Sequence, residues 1–244
     1  MQSSEFIGKG ILGVMSRERT FASIDARFAI VVMLTLSAII AIDRIYAPEV
    51  PINVDPASYA VVSHELLDGK QLYTDVWDHK PPAPFITYAA AELAFGYSPS
   101  TLHILNFIVC LFVLWGIFLA AKHGPGGHTA GLVAAVLWGI ASGSFGLEGR
   151  DANTEPFIDA CVVFAFYLMV ANRKDGLTTS KSILVGALFF WASLYKPVVA
   201  ANVVFITFAY AILAANRRRA IYDTLTIGAV GASGWLFLFA YFYT

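Results

Sequence analysis

The chain has 244 residues, of which 58% are hydrophobic and only 14% charged, and its net charge is −1. A soluble globule carries about 25% charged residues. Too few charges are therefore present to coat a water-facing surface, and a mean hydropathy of +0.67 points to lipid as the solvent. The near-neutral balance excludes a basic field for nucleic acid. Cys110 and Cys161 both sit inside apolar runs and read as small core residues rather than a disulfide.

Residues 1–27 form a polar, mildly basic arm. The first apolar run begins near Phe28 with no small-residue cleavage site after it, which predicts a signal anchor rather than a cleaved leader. A spanning helix needs about 20 largely apolar residues. Candidate spans lie at 28–47, 101–121, 127–145, 155–171, 182–195, 198–215 and 221–243. The stretch 182–215 is too long for one helix and is interrupted by Lys196-Pro197. Proline ends or kinks a helix, so two short helices meeting at a turn are predicted.

Residues 48–100 form the longest segment between spans. Asp55-Pro56 is predicted to open a helix, with aspartate as the cap and proline at the first helical position. Tyr59, Val62 and Leu66 then recur at helical spacing, and Gly69 supplies the stop. An amphipathic helix on the membrane surface follows from this, then a polar, aromatic loop over 70–82 and a second apolar helix over 83–95. The chain closes on an apolar run from Trp235 to Tyr243, which reads as part of a longer protein or a short relative of one.

Basic residues set the orientation. With the N-terminus in the cytoplasm, eleven of the sixteen lysines and arginines fall inside, including Arg173, Lys174 and Arg217–Arg219. The predicted fold class is an all-α, multi-pass integral protein of the cell membrane with about seven transmembrane helices. It comprises a cytoplasmic arm over 1–27 and a transmembrane domain over 28–244, with an extracytoplasmic loop over 48–100.

Polar residues gather on the outer face in four places: Asp55 with Tyr59, Trp77-Asp78-His79-Lys80-Pro81-Pro82, Glu148 to Glu155, and Tyr195-Lys196. A carboxylate acts as a general base toward a hydroxyl or amine. Lysine and arginine neutralise a departing phosphate. Each group also has a plainer role: Asp55 as a helix cap, Lys80 and Lys196 as snorkelling interface residues, Arg150 and Asp151 as a surface pair, and His79 as an exposed loop residue. No segment has zinc-ligand spacing, and no phosphate-binding glycine loop is present. Acidic loop residues offer oxygen ligands suited to a divalent cation; no other cofactor is expected.

The order of motifs is more specific than any one of them. It runs anchor helix, Asp55-Pro-Ala-Ser-Tyr59, Gly69-Lys-Gln-Leu-Tyr73-Thr-Asp75, then His79-Lys80-Pro81-Pro82. This resembles the C-type (GT-C) glycosyltransferases, in particular the bacterial family 39 branch related to protein O-mannosyltransferases and aminoarabinose transferases. The likeness covers about 40–200, with Asn153-Thr154-Glu155-Pro156-Phe157 and Lys196-Pro197 as further landmarks. Such a likeness implies inverting transfer of a sugar from a polyprenyl-phosphate donor to a lipid, glycan or protein acceptor on the extracytoplasmic side. It implies Asp55 as general base, a second carboxylate at Asp151 or Glu155, and donor-phosphate contacts from Lys80, Arg150 and Lys196. Tyr59, His79 and Asn153 fall where substrate contacts are expected. The chain differs from many relatives in carrying Pro56 where they have a second acid, and full members are longer. The alternative expectation is a non-catalytic membrane subunit or lipid-sugar binding protein on a truncated scaffold of this type. A transporter fits less well, because the charged groups cluster at one face rather than at mid-bilayer.

Overall fold

The computed structural model describes residues 24–45, 52–143 and 151–243. Most of the N-terminal arm, and Glu148 and Arg150, lie outside the described residues. Among those described, the regular elements are helices: α1 (Ala26–Ile45), α2 (Val54–Leu67), α3 (Ala83–Phe95), α4 (Pro99–Lys122), α5 (Gly127–Ser142), α6 (Thr154–Ala171), α7 (Thr179–Ser193), α8 (Val199–Leu213) and α9 (Arg217–Tyr243). Among the described residues, each apolar segment expected from the sequence is helical over most of its length, and the break at Lys196-Pro197 falls in the turn between α7 and α8.

Among the described residues, four helices, α1, α4, α6 and α9, are long and apolar enough to cross a membrane. The others in the bundle are shorter: α5 has 16 residues, and α7 and α8 have 15 each. At 1.5 Å per residue these reach about 22–24 Å, short of a hydrocarbon core about 30 Å thick. The outward surface is apolar: Phe28, Val31 and Leu34 on α1, Phe205 and Phe208 on α8, and Leu236 and Phe237 on α9 are all exposed.

The bundle has two distinct ends, fixed by contacts between turns. At one end, His128 Nδ1 lies 3.2 Å from the Ile24 carbonyl oxygen. Arg173 Nη1 donates to the His123 carbonyl at 2.7 Å, and the Ala215 amide donates to the Arg173 carbonyl at 3.2 Å. At the other end, the buried Arg44 guanidinium reaches the Ser142 carbonyl at 3.2 Å. The Ala83 amide donates to the Leu194 carbonyl at 3.2 Å, and the Tyr73 and Phe242 rings meet edge-on at 5.0 Å. Successive bundle helices therefore alternate in direction between an end rich in Lys and Arg and an end rich in Asp and Glu.

One polar knot locks three helices near the basic end. Asp223 on α9 has no exposed surface. Its Oδ2 accepts from the Leu177 amide at 2.8 Å and the Tyr210 hydroxyl at 3.1 Å. Its Oδ1 accepts from the Ser182 hydroxyl at 3.0 Å and lies 3.0 Å from Arg219 Nε, one turn earlier on the same helix. Every contact is charge-assisted, and without the carboxylate the Leu177 amide and the Tyr210 hydroxyl would lose their acceptor, while Ser182 and Arg219 would keep only their bonds to the Thr178 and Leu177 carbonyls. Asp223→Ala is expected to destabilise the bundle by about 3 kcal/mol or more, measured by denaturant unfolding in detergent micelles. A loss below about 1 kcal/mol would show that the knot is not a structural lock.

Candidate functional site

The acidic end is organised around α2. The helix begins at Val54, two residues before the sequence suggests, and Asn53 rather than Asp55 is its cap. Asn53 takes an extended backbone (φ −65°, ψ 157°), and its side-chain oxygen accepts from the Val54 amide at 2.8 Å. Asp55 is thus the second helical residue and Pro56 the third. The correction has a chemical consequence. Asp55 keeps a favourable place beside the helix N-terminus, but its carboxylate is not used up as a cap. At the far end, Gly69 takes φ +91°. Its amide donates to the Leu66 carbonyl and the Lys70 amide to the Glu65 carbonyl, each at 3.1 Å. This paired closure needs a left-handed residue, the conformation glycine adopts without strain.

Tyr59, one turn after Asp55, seats α2 on the bundle. The residue is 2% exposed. Its ring meets Phe85 at 6.0 Å and Tyr88 at 5.7 Å, both edge-on. Tyr88 continues to Phe157 at 6.4 Å, and Phe157 stacks on Tyr195 at 5.4 Å. Such pairs contribute about 0.5–1.5 kcal/mol each beyond their buried area, so this aromatic floor ties α2, α3, α6 and the α7–α8 turn together. Ser63 adds a polar stitch, its hydroxyl lying 2.6 Å from the Tyr59 carbonyl and 2.9 Å from the Phe85 carbonyl. Val62 and Leu66, the rest of the apolar stripe, pack on the same cluster.

Above the floor, the Tyr59 hydroxyl donates to Asp55 Oδ2 at 3.2 Å. Burial first, then the charges of Asp55, Asp78 and Glu155, hold the Tyr59 phenol well above its ordinary pKa. It therefore stays protonated and acts as a donor. Lys80 Nζ lies 3.9 Å from the same Asp55 oxygen.

The loop over 70–82 holds Lys80 in position. The Gln71 amide donates to Asp75 Oδ2 at 2.8 Å, and the Lys80 amide to Asp78 Oδ1 at 2.8 Å. Tyr73 adopts φ +69°, a left-handed conformation costly for a side-chain-bearing residue. Its hydroxyl donates to the Lys80 carbonyl at 2.7 Å. Burial, then Asp78, push the Tyr73 phenol up to about 12. His79 points to solvent beside Asp78, with Nδ1 3.4 Å from Oδ1.

The segment after α5 brings in the remaining acids. Asp151 Oδ2 accepts from Asn53 Nδ2 at 3.4 Å, so the residue that caps α2 also reaches this segment. The Asp151 carbonyl accepts from Asn106 Nδ2 at 2.6 Å, and the Ala152 carbonyl accepts from the Tyr88 hydroxyl. Asn153 is buried and caps α6, its side-chain oxygen accepting from the Thr154 amide at 2.7 Å. Glu155 follows in the first turn, pairs with Lys196 and accepts from the Thr154 hydroxyl at 3.1 Å.

Of the residues singled out in the sequence, Asp55, Tyr59, Lys80, Asp151, Glu155 and Lys196 converge at this end. Asn153 serves the fold as a cap, and His79 lies on the rim. Arg150 lies outside the described residues. Asn53, Tyr73, Tyr88 and Asn106 complete the framework and were not singled out as site residues. Asn106 carried a visible signal, being an amide inside an otherwise apolar helix. No group of three or more His, Cys, Asp or Glu side chains among the described residues is arranged to hold a metal ion. No family model, no curated protein and no solved structure matches the chain.

A second polar contact lies on the other flank of α2. His64 Nδ1 is 2.6 Å from Glu92 Oε1, and the imidazole stacks on Tyr97 at 4.2 Å. The hydrogen bond to Glu92 raises the His64 pKa above its ordinary 6.5. The contact is at full strength below that ordinary value and is lost as pH rises through the raised one. Amide protection in the C-terminal half of α2 is expected to fall over that window, read by hydrogen exchange, and to be flat with pH in His64→Gln. An unchanged pH profile in the variant would remove this histidine from the docking of α2.

Proposed function

We propose that this chain is a membrane glycosyltransferase of GT-C type, or the catalytic portion of one, that moves a sugar from a polyprenyl-phosphate donor to a lipid, glycan or protein acceptor. The reading rests on one observation: at one end of an apolar bundle the Asp55 carboxylate stands beside both the Tyr59 hydroxyl and Lys80, and the charge of Glu155, which pairs with Lys196, acts on the same phenol. The motif order in the sequence supports it independently.

The membrane arrangement belongs to the same proposal. Seven helices of alternating direction, α1 and α4 to α9, cross the bilayer, with the N-terminus and the basic end in the cytoplasm. The short helices α5, α7 and α8 are accommodated by local thinning and by polar residues at their ends.

In this reading Asp55 takes the proton from the acceptor hydroxyl or amine as that atom bonds to the sugar C1. The bond from C1 to the phosphate oxygen breaks, and polyprenyl phosphate leaves with the electron pair. Lys80 and Lys196 meet the charge that develops on the leaving oxygen. Tyr59 holds the Asp55 carboxylate in one orientation, and Asp151 and Glu155 set the positions of Asn53 and Lys196.

Transfer from a labelled polyprenyl-phosphate sugar in membranes containing the chain gives the test. Asp55→Asn is expected to lower kcat by roughly 10²-fold or more at unchanged expression. Lys80→Ala is expected to act mainly on KM for the donor, and Lys70→Ala on neither. Normal turnover in Asp55→Asn would remove Asp55 from catalysis. Tight donor binding without turnover in the unaltered chain would favour a lipid-sugar binding subunit instead.

A further inference from the structure

The basic end carries a feature that sugar transfer does not use. A groove of about 210 Å³ runs between α6 and α8 there, with Phe166, Met169, Phe205, Ile206 and Ala209 in its walls and Arg173 at its mouth. It is smaller than sites that enclose drug-sized ligands, which run from about 300 Å³, and its walls are almost wholly apolar. Phe205 and the neighbouring Phe208 and Leu213 are exposed on the outer surface of α8, so the groove opens sideways, where lipid would lie.

The mouth has the opposite character. Among the described residues, the side-chain hydrogen bonds of Arg173 run from Nη1, to the His123 and Val170 carbonyls, which leaves Nε and Nη2 for a ligand. Its carbonyl accepts from the Ala215 amide at 3.2 Å, which draws the start of α9 alongside. Arg217 and Arg218, two and three residues further on, are exposed, as is Lys174. Asp175 is the acid in the same turn, while Asp223 is buried and committed to its own partners. A cationic mouth on an apolar groove at membrane depth has the chemistry that selects anionic lipid.

We infer that this groove binds one anionic phospholipid, with an acyl chain between α6 and α8 and the phosphate held by Arg173 with Lys174, Arg217 and Arg218. The inference depends on the chain lying in a membrane and is independent of sugar transfer. The bound lipid bridges α6, α8 and the start of α9, and so fastens the helix ends whose far ends carry Glu155 and Lys196.

Native mass spectrometry of the full chain in micelles titrated with phosphatidylglycerol or phosphatidylcholine provides the test. Phosphatidylglycerol is expected to bind roughly tenfold more tightly than phosphatidylcholine. Arg173→Gln combined with Arg217→Gln should bring it down to the phosphatidylcholine level. Ala209→Trp fills the groove while leaving every arginine contact in place, and should weaken both lipids several-fold. Equal binding of the two lipids would overturn the inference, as would full phosphatidylglycerol binding in Ala209→Trp, which would mean headgroup adsorption without a groove. Displacement of phosphatidylglycerol by excess inorganic phosphate would overturn it in favour of a free-anion site.

Discussion

The burial of Tyr59 beneath Asp55 is the contact on which the acidic end depends. A surface helix such as α2 has no span of its own to anchor it, and an isolated helix of 14 residues is marginal in water. It persists because one aromatic side chain inserts into a floor contributed by α3, α6 and the α7–α8 turn. The same side chain ends in a hydroxyl that emerges beside the Asp55 carboxylate. Packing and chemistry are thus joined in one residue. The apolar ring sets where α2 lies, and the ring's polar tip sets where the carboxylate points.

The two ends of the bundle solve the problem of ionisable groups near lipid in different ways. At the basic end the buried carboxylate of Asp223 is surrounded by donors and has no exposed surface. Such a fully satisfied group serves cohesion, since every direction from which a ligand might approach is taken. At the acidic end the carboxylates are left partly open. The Asp55 side chain is 50% exposed although Tyr59 and Lys80 both approach it. A carboxylate left partly open in this way stays accessible to a ligand.

Much of this was legible in the sequence, and the reasons differ by element. The helices are long runs with one solvent preference, so composition alone exposes them, and Lys196-Pro197 declares its own turn. The stop at Gly69 was readable because the left-handed closure that ends α2 favours glycine. The start of α2 was misread because two residues with capping chemistry, Asn53 and Asp55, stand two positions apart, and Pro56 suits more than one place in a first turn. Tertiary contact favours Asn53: while its oxygen caps the helix, its amide nitrogen also reaches Asp151. Asp223 escaped notice because a lone acid near a helix end looks like surface, although Arg219 one turn before it was the signal. The convergence of Lys80 on Asp55 was invisible for a further reason. It depends on the unusual Tyr73 backbone, and nothing in the residue type announces a left-handed tyrosine.

The pairing pattern also resolves an electrostatic difficulty. An end of the bundle populated by Asp55, Asp78, Asp151 and Glu155 should repel an anionic lipid phosphate, which the proposed donor carries. Two of these carboxylates, however, stand next to a lysine: Asp55 beside Lys80 and Glu155 beside Lys196. At separations of 4 Å or less the pair presents little net charge beyond a Debye length of about 8 Å. An approaching phosphate then meets locally neutral surface rather than an acidic wall. On arrival it competes with a carboxylate for each lysine, and drawing Lys80 toward phosphate would loosen its hold on Asp55. In the proposed reaction, binding of the donor would thus free the Asp55 carboxylate from its ion pair, which couples occupancy to the availability of the base without any movement of the backbone.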